Sequence, residues 1–267
     1  LGGVSGGVRI NRAFDLVEAL ELKDKEHIAL VGAGGKTSLL LGLGDALVKK
    51  GARVVITTTT RVGREEAARA PALIFLSERE DWKEELSRKI EDYGLVFVAG
   101  HYCESAKIKG IKPERADGLS KFSFVDYLIV EADGACRRPI KAPGPWEPVI
   151  PGSSTLIVGM AGAEALGARV DEETVFRLDA FCSVAGAHPG EAITPFMASH
   201  IFLERRGIFK GSPNGARQVA FLNKTDLLED LGPAHEWAEI VVSSAGAMDR
   251  AVAGSIKTNS YEVFKRI

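Results

Sequence analysis

Cysteine is scarce in this 267-residue chain: there are three, Cys103, Cys136 and Cys182, odd in number and far apart. No disulfide framework and no Cys-x-x-Cys metal knuckle can be assembled from neighbours, which leaves reduced thiols as the expectation. An excess of one charge is also missing. Lys+Arg 34 against Asp+Glu 36 gives a formal net charge of -2, so no overall basic field exists to hold nucleic acid or an acidic membrane, and any anion must be bound locally. No apolar run approaches the roughly 20 residues of a membrane helix, and Leu1 to Arg9 is glycine-rich rather than an apolar signal core. A cytoplasmic protein is expected, with neither nucleic acid nor membrane among its partners. The composition that is present, 45% hydrophobic and 26% charged, suits a globular core and excludes disordered, collagen-like and fibrous chains.

The order of elements is legible in the apolar pattern. His27 to Val31 is a short apolar run that ends in glycines, and Leu39, Leu43, Ala46 and Leu47 then fall on one helical face. Gly51 supplies a helix stop, and Val54 to Ile56 begins the next strand. Further apolar runs at Leu73–Leu76, Leu95–Ala99, Tyr127–Val130, Leu156–Met160 and Val219–Leu222 are separated by helix-like stretches. Near-continuous apolar strands alternating with helices predict an α/β fold with a mainly parallel sheet covered on both faces. No linker is visible, so one domain over residues 1–267 is expected, with residues 1–9 disordered, a helix over Phe14–Leu22 and a helical insertion over residues 171–206.

Gly32-Ala33-Gly34-Gly35-Lys36-Thr37-Ser38 lies between the first apolar strand and the amphipathic helix, the context in which a P-loop reading is physical. Glycines let successive backbone N–H groups turn toward one anion, the helix N-terminus adds partial positive charge, and Lys36 adds a full one. Thr37 can place its hydroxyl on Mg²⁺. The spacing is the short G-x-x-G-K-T, since Leu30 stands where the longer pattern has its first glycine. Tyr127 to Val130 runs into Glu131 and Asp133, two positions apart and therefore able to lean to one side of a strand end. Such carboxylates can hold Mg²⁺ or orient an attacking water, which makes Lys36, Glu131 and Asp133 the candidate catalytic groups, with Thr37, Glu131 and Asp133 as candidate metal ligands. Two solvated carboxylates are the competing reading.

Arg137, Arg138 and Lys141 follow in a stretch stiffened by Pro139, Pro143, Pro145, Pro148 and Pro151, which forbids a helix or a central strand. A rigid loop carrying arginines suits capture of phosphate or carboxylate, or else an ion-pair shell around Glu131 and Asp133. Asn223-Lys224-Thr225-Asp226 follows a late strand in the form N-K-x-D. Asp226 could accept the N1 and N2 hydrogens of guanine, a pair that adenine lacks, while the Lys224 stem lies over the base. The same residues also make a turn and a helix cap. Thr57 to Thr60 ends the second strand, where a threonine can sense Mg²⁺ and phosphate, although β-branched residues favour strands in any case. His101 and Cys103 would supply half a metal or selenium site. His27, His188, His200 and His235 have no partners in sequence.

Taken together, Val31 to Thr37, Thr57 to Thr60, Glu131-Ala132-Asp133-Gly134, Arg138-Pro139-Ile140-Lys141-Ala142-Pro143, Glu147-Pro148-Val149-Ile150-Pro151, Val175-Phe176-Arg177 and the Asn223 tetrad resemble the YqeC family. That family consists of accessory proteins associated with selenium-dependent molybdenum hydroxylases. Trp146 stands where the family tends to carry histidine. The resemblance implies a three-layer, P-loop NTPase-like α/β protein that binds GTP or ATP with Mg²⁺ and acts in maturation of a client molybdenum hydroxylase or on its cofactor. Carried over by residue, Gly32, Gly34, Gly35, Lys36 and Thr37 would hold phosphate and Mg²⁺, facing Glu131 and Asp133, and Arg138 and Lys141 would contact phosphate or a cofactor. Two other functions fit the short loop: an ATP-dependent ligase or small-molecule kinase, and a nucleotide-binding scaffold without turnover.

Overall fold

The computed structural model describes residues 7–77, 80–103, 107–244, 248 and 250–267. Its main sheet has ten strands: β1 (Val8–Ala13), β2 (His27–Gly32), β3 (Val54–Thr58), β4 (Leu73–Phe75), β5 (Leu95–Ala99), β6 (Tyr127–Glu131), β7 (Leu156–Gly162), β8 (Arg217–Asn223), β9 (Arg250–Ser255) and β10 (Ser260–Arg266). They lie in the order β1-β10-β9-β8-β7-β2-β6-β3-β5-β4. Every pairing from β9 to β4 is parallel, while β9–β10 and β1–β10 are antiparallel. The helices are α1 (Lys36–Lys49), α2 (Trp82–Tyr93), α3 (Pro113–Leu119), α4 (Leu178–Ala185), α5 (Pro195–Leu203) and α6 (Gly232–Ser243), with single turns elsewhere.

The alternation of a parallel sheet buried on both sides explains the layering. Ile28 and Leu30 of β2 join Leu39, Leu40, Leu43 and Leu47 of α1 in one apolar cluster. Ala29 and Val31 point the other way, into a cluster with Phe181 of α4, Ile201 and Phe202 of α5, and Trp237 of α6. Toward the β4 edge, Val55, Val96 and Leu128 meet Leu86 and Ile90 of α2 and Leu119 of α3. Helices therefore cover both faces of a mostly parallel sheet, as the apolar runs predict.

Two expectations near the N-terminus need correction. Leu1 to Gly6 lie outside the described residues, but Val8 and Arg9 are in β1, paired with Arg266 and Lys265. The disorder expected over residues 1–9 therefore does not extend to these two. The helix expected over Phe14–Leu22 is a single turn, Leu16–Ala19, begun by Asp15, whose carboxylate accepts the Glu18 N–H. Glu21, at φ 52°, leaves the helical region and ends it. Residues 171–206 carry α4 and α5, joined to the same apolar cluster as α6.

The topology places the glycine loop. β2 leads through α1 to β3, and β6 inserts between those two strands, while β7 lies on the other flank of β2. The chain thus reverses its direction of travel around β2, and the crevice at such a switch point, beyond the carboxyl ends of the strands, is where open parallel sheets bind ligands.

Candidate functional site

The carboxyl end of β2 is pinned on both flanks. Gly32, at φ 93°, sits opposite Met160 of β7, and a Cβ built on it would approach the Met160 carbonyl oxygen to 2.3 Å. The Ala33 N–H donates to that carbonyl at 2.8 Å. Gly34, at φ 74°, packs so tightly on Gly162 that a Cβ would stand 2.1 Å from its nitrogen. Gly35, at φ 116°, begins α1 without a side-chain cap. The first-turn N–H groups of Lys36, Thr37 and Ser38 have no acceptor within the helix, so the glycine turn ends in a cluster of outward-directed amides at a positive helix pole.

Around this turn the carboxylates take distinct positions. Thr37 donates its hydroxyl to Glu131 Oε2 at 2.9 Å, and Glu131 Oε1 is 3.7 Å from Lys36 Nζ. Burial raises the Glu131 pKa, against the opposing pull of Lys36 and Thr37. Asp133 is fully buried; its two oxygens accept the Gly32 N–H at 3.1 and 3.0 Å. Lys36 Nζ stands 3.3 Å from Asp133 Oδ1 and donates to the Gly32 carbonyl at 2.5 Å. Burial alone would lower the Lys36 pKa, but Asp133 and Glu131 outweigh it and the pKa is raised. Asp133, expected among the metal ligands, thus receives one N–H and faces two ammoniums.

The second of those ammoniums is Lys141, from the proline-rich stretch. Its Nζ lies 3.0 Å from Asp133 Oδ2 and 2.8 Å from Glu147 Oε2, and it donates to the Gly134 carbonyl at 2.6 Å. Glu147 in turn receives Arg177 through Nε at 3.1 Å and Nη2 at 2.9 Å. Although burial works against it, this pairing with Arg177 and Lys141 takes the Glu147 pKa down to about 2. The result is one chain of alternating charge, Lys36–Asp133–Lys141–Glu147–Arg177. Glu147 and Arg177 stand 30 residues apart, and the only sequence hint of their roles was their place in the family-like segments. Arg138 sits half-buried at the end of the turn made by Cys136 and Arg137, both at positive φ, and Trp146 is 90% exposed.

The N-K-x-D tetrad also touches the glycine turn. Asn223 donates through Nδ2 to the Gly34 carbonyl at 2.9 Å and accepts the Ile256 N–H at 3.1 Å, which ties the ends of β8 and β9 to the loop. Lys224 pairs with Glu164, and Asp226 stands 3.6 Å from Lys257 Nζ. A Ser255 hydrogen bond, followed by Lys257, holds the Asp226 pKa below the usual carboxylate value.

The threonine run, in contrast, is committed to the backbone. Thr57 donates to the Val98 carbonyl, Thr58 to that of Glu131 and Thr59 to that of Val149, and Thr60 shares a hydrogen bond with Thr58. These bonds fasten the end of β3 to β5, β6 and the proline-rich stretch. His101 is exposed on the short strand His101–Tyr102, and Cys103 follows it half-buried. Among the described residues, no group of three or more His, Cys, Asp or Glu forms a metal cage, and no helix is long and apolar enough to cross a membrane.

Residues 28–179, which hold the glycine turn, both carboxylates and the whole ion-pair chain, match the family model described as YqeC protein. The chain belongs to the YqeC family. It is also 33% identical over 209 residues to the YqeC protein of Escherichia coli (strain K12), covering 76% of this chain and 77% of that relative. The YqeC match ends at Asp179, so the Asn223 tetrad lies beyond the segment that the family model covers.

Proposed function

We propose that this YqeC-family chain is a P-loop NTPase-like protein that binds a nucleoside triphosphate, GTP or ATP, with Mg²⁺. The observation that carries this reading is the three-glycine turn at positive φ opening into the uncapped N-terminus of α1, with Lys36 and the Thr37–Glu131 pair beside it. Convergent amides at a helix pole form a ready anion site. Lys36 reaches a phosphate by leaving the Gly32 carbonyl, and Lys141 remains to neutralise Asp133 when it does.

The donor set suits Mg²⁺. The Thr37 and Glu131 oxygens, 2.9 Å apart, match the edge of an octahedron with bonds of about 2.1 Å, and Mg²⁺ in phosphate sites takes one or two protein oxygens and completes its shell with waters and phosphate oxygens. When bound, the ion would neutralise charge on the phosphates. Glu131 would orient water, while Asp133 anchors the Gly32 amide and Lys36 instead of reacting. Asp226 and Lys224 would read the base, carried by the strand that Asn223 ties to the phosphate turn. By the family resemblance, the nucleotide state would serve maturation of a client molybdenum hydroxylase that needs selenium, or handling of its cofactor.

The test is calorimetric titration of the full chain with GTP and ATP analogues that resist hydrolysis, with and without Mg²⁺. Saturable Mg²⁺-dependent binding is expected, with Asp226→Asn weakening guanine nucleotides about tenfold or more and leaving adenine nucleotides unchanged. Flat titrations for both nucleotides would overturn the reading. Unchanged base preference would remove Asp226 from it.

A further inference from the structure

A separate cavity of about 650 Å³ opens at the far end of the ion-pair chain, between the Pro143–Pro145 turn and α4. Its volume is in the range of small-molecule sites. Its walls combine the apolar faces of Pro143, Pro145, Leu178 and Val184 with three cations, Arg177, Arg206 and Lys210. The carboxylates Glu172 and Asp179 also line it, and Arg177 is already paired with Glu147 behind the wall, so the charges balance overall and recognition of an anion rests on where Lys210 and Arg206 stand.

Two of the cations are held in advance of any ligand. Arg177 is fixed by both of its bonds to Glu147 and by the Phe176 ring, 4.9 Å from the guanidinium. Its backbone is left-handed, at φ 66°, a conformation that a non-glycine residue adopts only when its surroundings impose it. The same residue is the N-cap of α4, so the left-handed turn sets both the start of the helix and the launch point of the guanidinium. Lys210 donates to the Gly144 and Pro145 carbonyls at 2.7 and 3.1 Å, which fixes its ammonium on the turn that forms one wall. Arg206 is exposed, with a long 3.4 Å contact from Nη2 to the Ser183 carbonyl, and contributes a third charge at the rim.

Fixed cations backed by apolar walls recognise an anion attached to an apolar body, since the charge fixes orientation while the walls supply contact area. From this we infer that the cavity is a second ligand site, distinct from the glycine turn, for a small organic anion bearing a phosphate or carboxylate on a flat apolar group. This assignment does not rest on the nucleotide reading.

The test is calorimetric titration of the nucleotide-free full chain with phenyl phosphate, with phenylacetate and with neutral benzyl alcohol. One-to-one binding of at least one of the two anions is expected, with benzyl alcohol at least tenfold weaker. The stronger of the anions identifies phosphate or carboxylate as the preferred group. Arg206→Glu should lower the affinity of that anion at least tenfold, and Val184→Trp, which fills the cavity from α4, should lower it as far or abolish it. Both variants should keep the far-ultraviolet circular dichroism of the parent, and Arg206→Glu its melting temperature as well. Because Arg206 is exposed and outside the buried ion-pair chain, its reversal separates lost binding from lost folding. Absence of saturable binding by both anions would overturn the inference, as would affinity unchanged in both variants or equal binding of the neutral alcohol. Binding that survives Arg206→Glu and Val184→Trp but vanishes when a nucleotide analogue is added would place the anion on the glycine turn, and would refute this site while leaving the nucleotide reading intact.

Discussion

Lys141→Met isolates the centre of the ion-pair chain. Lys141 is 1% exposed and bonds Asp133 at 3.0 Å and Glu147 at 2.8 Å, so its loss removes one cation from two carboxylates at once. Breaking a buried pair by deleting one partner costs about 3–5 kcal/mol. Asp133 keeps Lys36 and the Gly32 N–H, and Glu147 keeps Arg177, which places the loss at the low end, about 3 kcal/mol. For a chain of this length that is a fall in melting temperature of about 6–10 °C. Urea unfolding can be followed by the fluorescence of Trp237, which is fully buried. The cycle is completed with Asp133→Asn and the double variant, for which a coupling energy of about 2 kcal/mol is expected. A Lys141→Met protein as stable as the parent, or strictly additive single changes, would show that the chain of charges is not an energetic unit. On the proposed function the same variant also weakens triphosphate binding more than tenfold, because Lys36 can then reach the phosphate only by leaving Asp133 without a cation.

Three further outcomes follow from particular contacts. Gly34→Ala forces a Cβ to 2.1 Å from the Gly162 nitrogen at a φ of 74°, and should cost about 3 kcal/mol or more in urea unfolding, whereas Gly51→Ala, with open space around it, should cost only the strain of its positive φ, about 1 kcal/mol. Burial lowers the His27 pKa to about 4 from 6.5, so the unfolded chain takes up its proton first. The neutral imidazole's contribution, about 3 kcal/mol, is complete above pH 6.5 and is lost as pH falls toward 4; His27→Gln should flatten that part of a stability–pH profile, and an unchanged slope would refute the assignment. On the proposed function, Thr37→Val, which deletes the hydroxyl bonded to Glu131, should remove the Mg²⁺ dependence of nucleotide binding while preserving part of the metal-free affinity, as read by the paired titrations.

The parts of the fold legible in the sequence were those whose burial on both faces leaves an unbroken apolar run. His27–Gly32, Val54–Thr58 and Tyr127–Glu131 are of this kind, and each emerges as a central parallel strand. The antiparallel border was not legible. β1, Val-Arg-Ile-Asn-Arg-Ala, exposes its middle four residues and is held by backbone pairing to β10, so it carries little hydrophobic signal. At the candidate site, the glycine turn could be located because backbone shape and residue type coincide there: only glycine tolerates these φ values beside the Met160 and Gly162 backbone. The position of Asp133 could not be read in the same way. Alternation along a strand suggested two equivalent carboxylates, but β6 ends at Glu131, and the chain beyond it turns Asp133 under the loop to receive the Gly32 N–H. The pairing of Glu147 with Arg177 depends on two irregular segments meeting, for which no local pattern exists.

That difference between the two carboxylates gives the site its direction. Asp133 is held by two ammoniums, each shared with a second carboxylate: Lys36 also faces Glu131 at 3.7 Å, whose pKa burial raises, and Lys141 also bonds Glu147. Each buried charge brings its own desolvation cost, so each of these carboxylates is met by a cation. On the proposed function one of the two lysines is released toward the phosphate, and the positions decide which. Lys141 is enclosed by Asp133, Glu147 and the Gly134 carbonyl, whereas Lys36 stands on the first turn of α1, beside the uncapped amides. On that reading an anion arriving at those amides would offer Lys36 a partner in place of Asp133, which keeps Lys141. On this argument Lys36→Arg should be poorly tolerated despite its retained charge, because the larger planar guanidinium must fit a space that leaves the ammonium 2.5 Å from the Gly32 carbonyl. Loss of nucleotide binding with near-parental urea stability in that variant would locate the defect in the movement of the charge; full binding would mean that Lys36 does not need to leave its pocket.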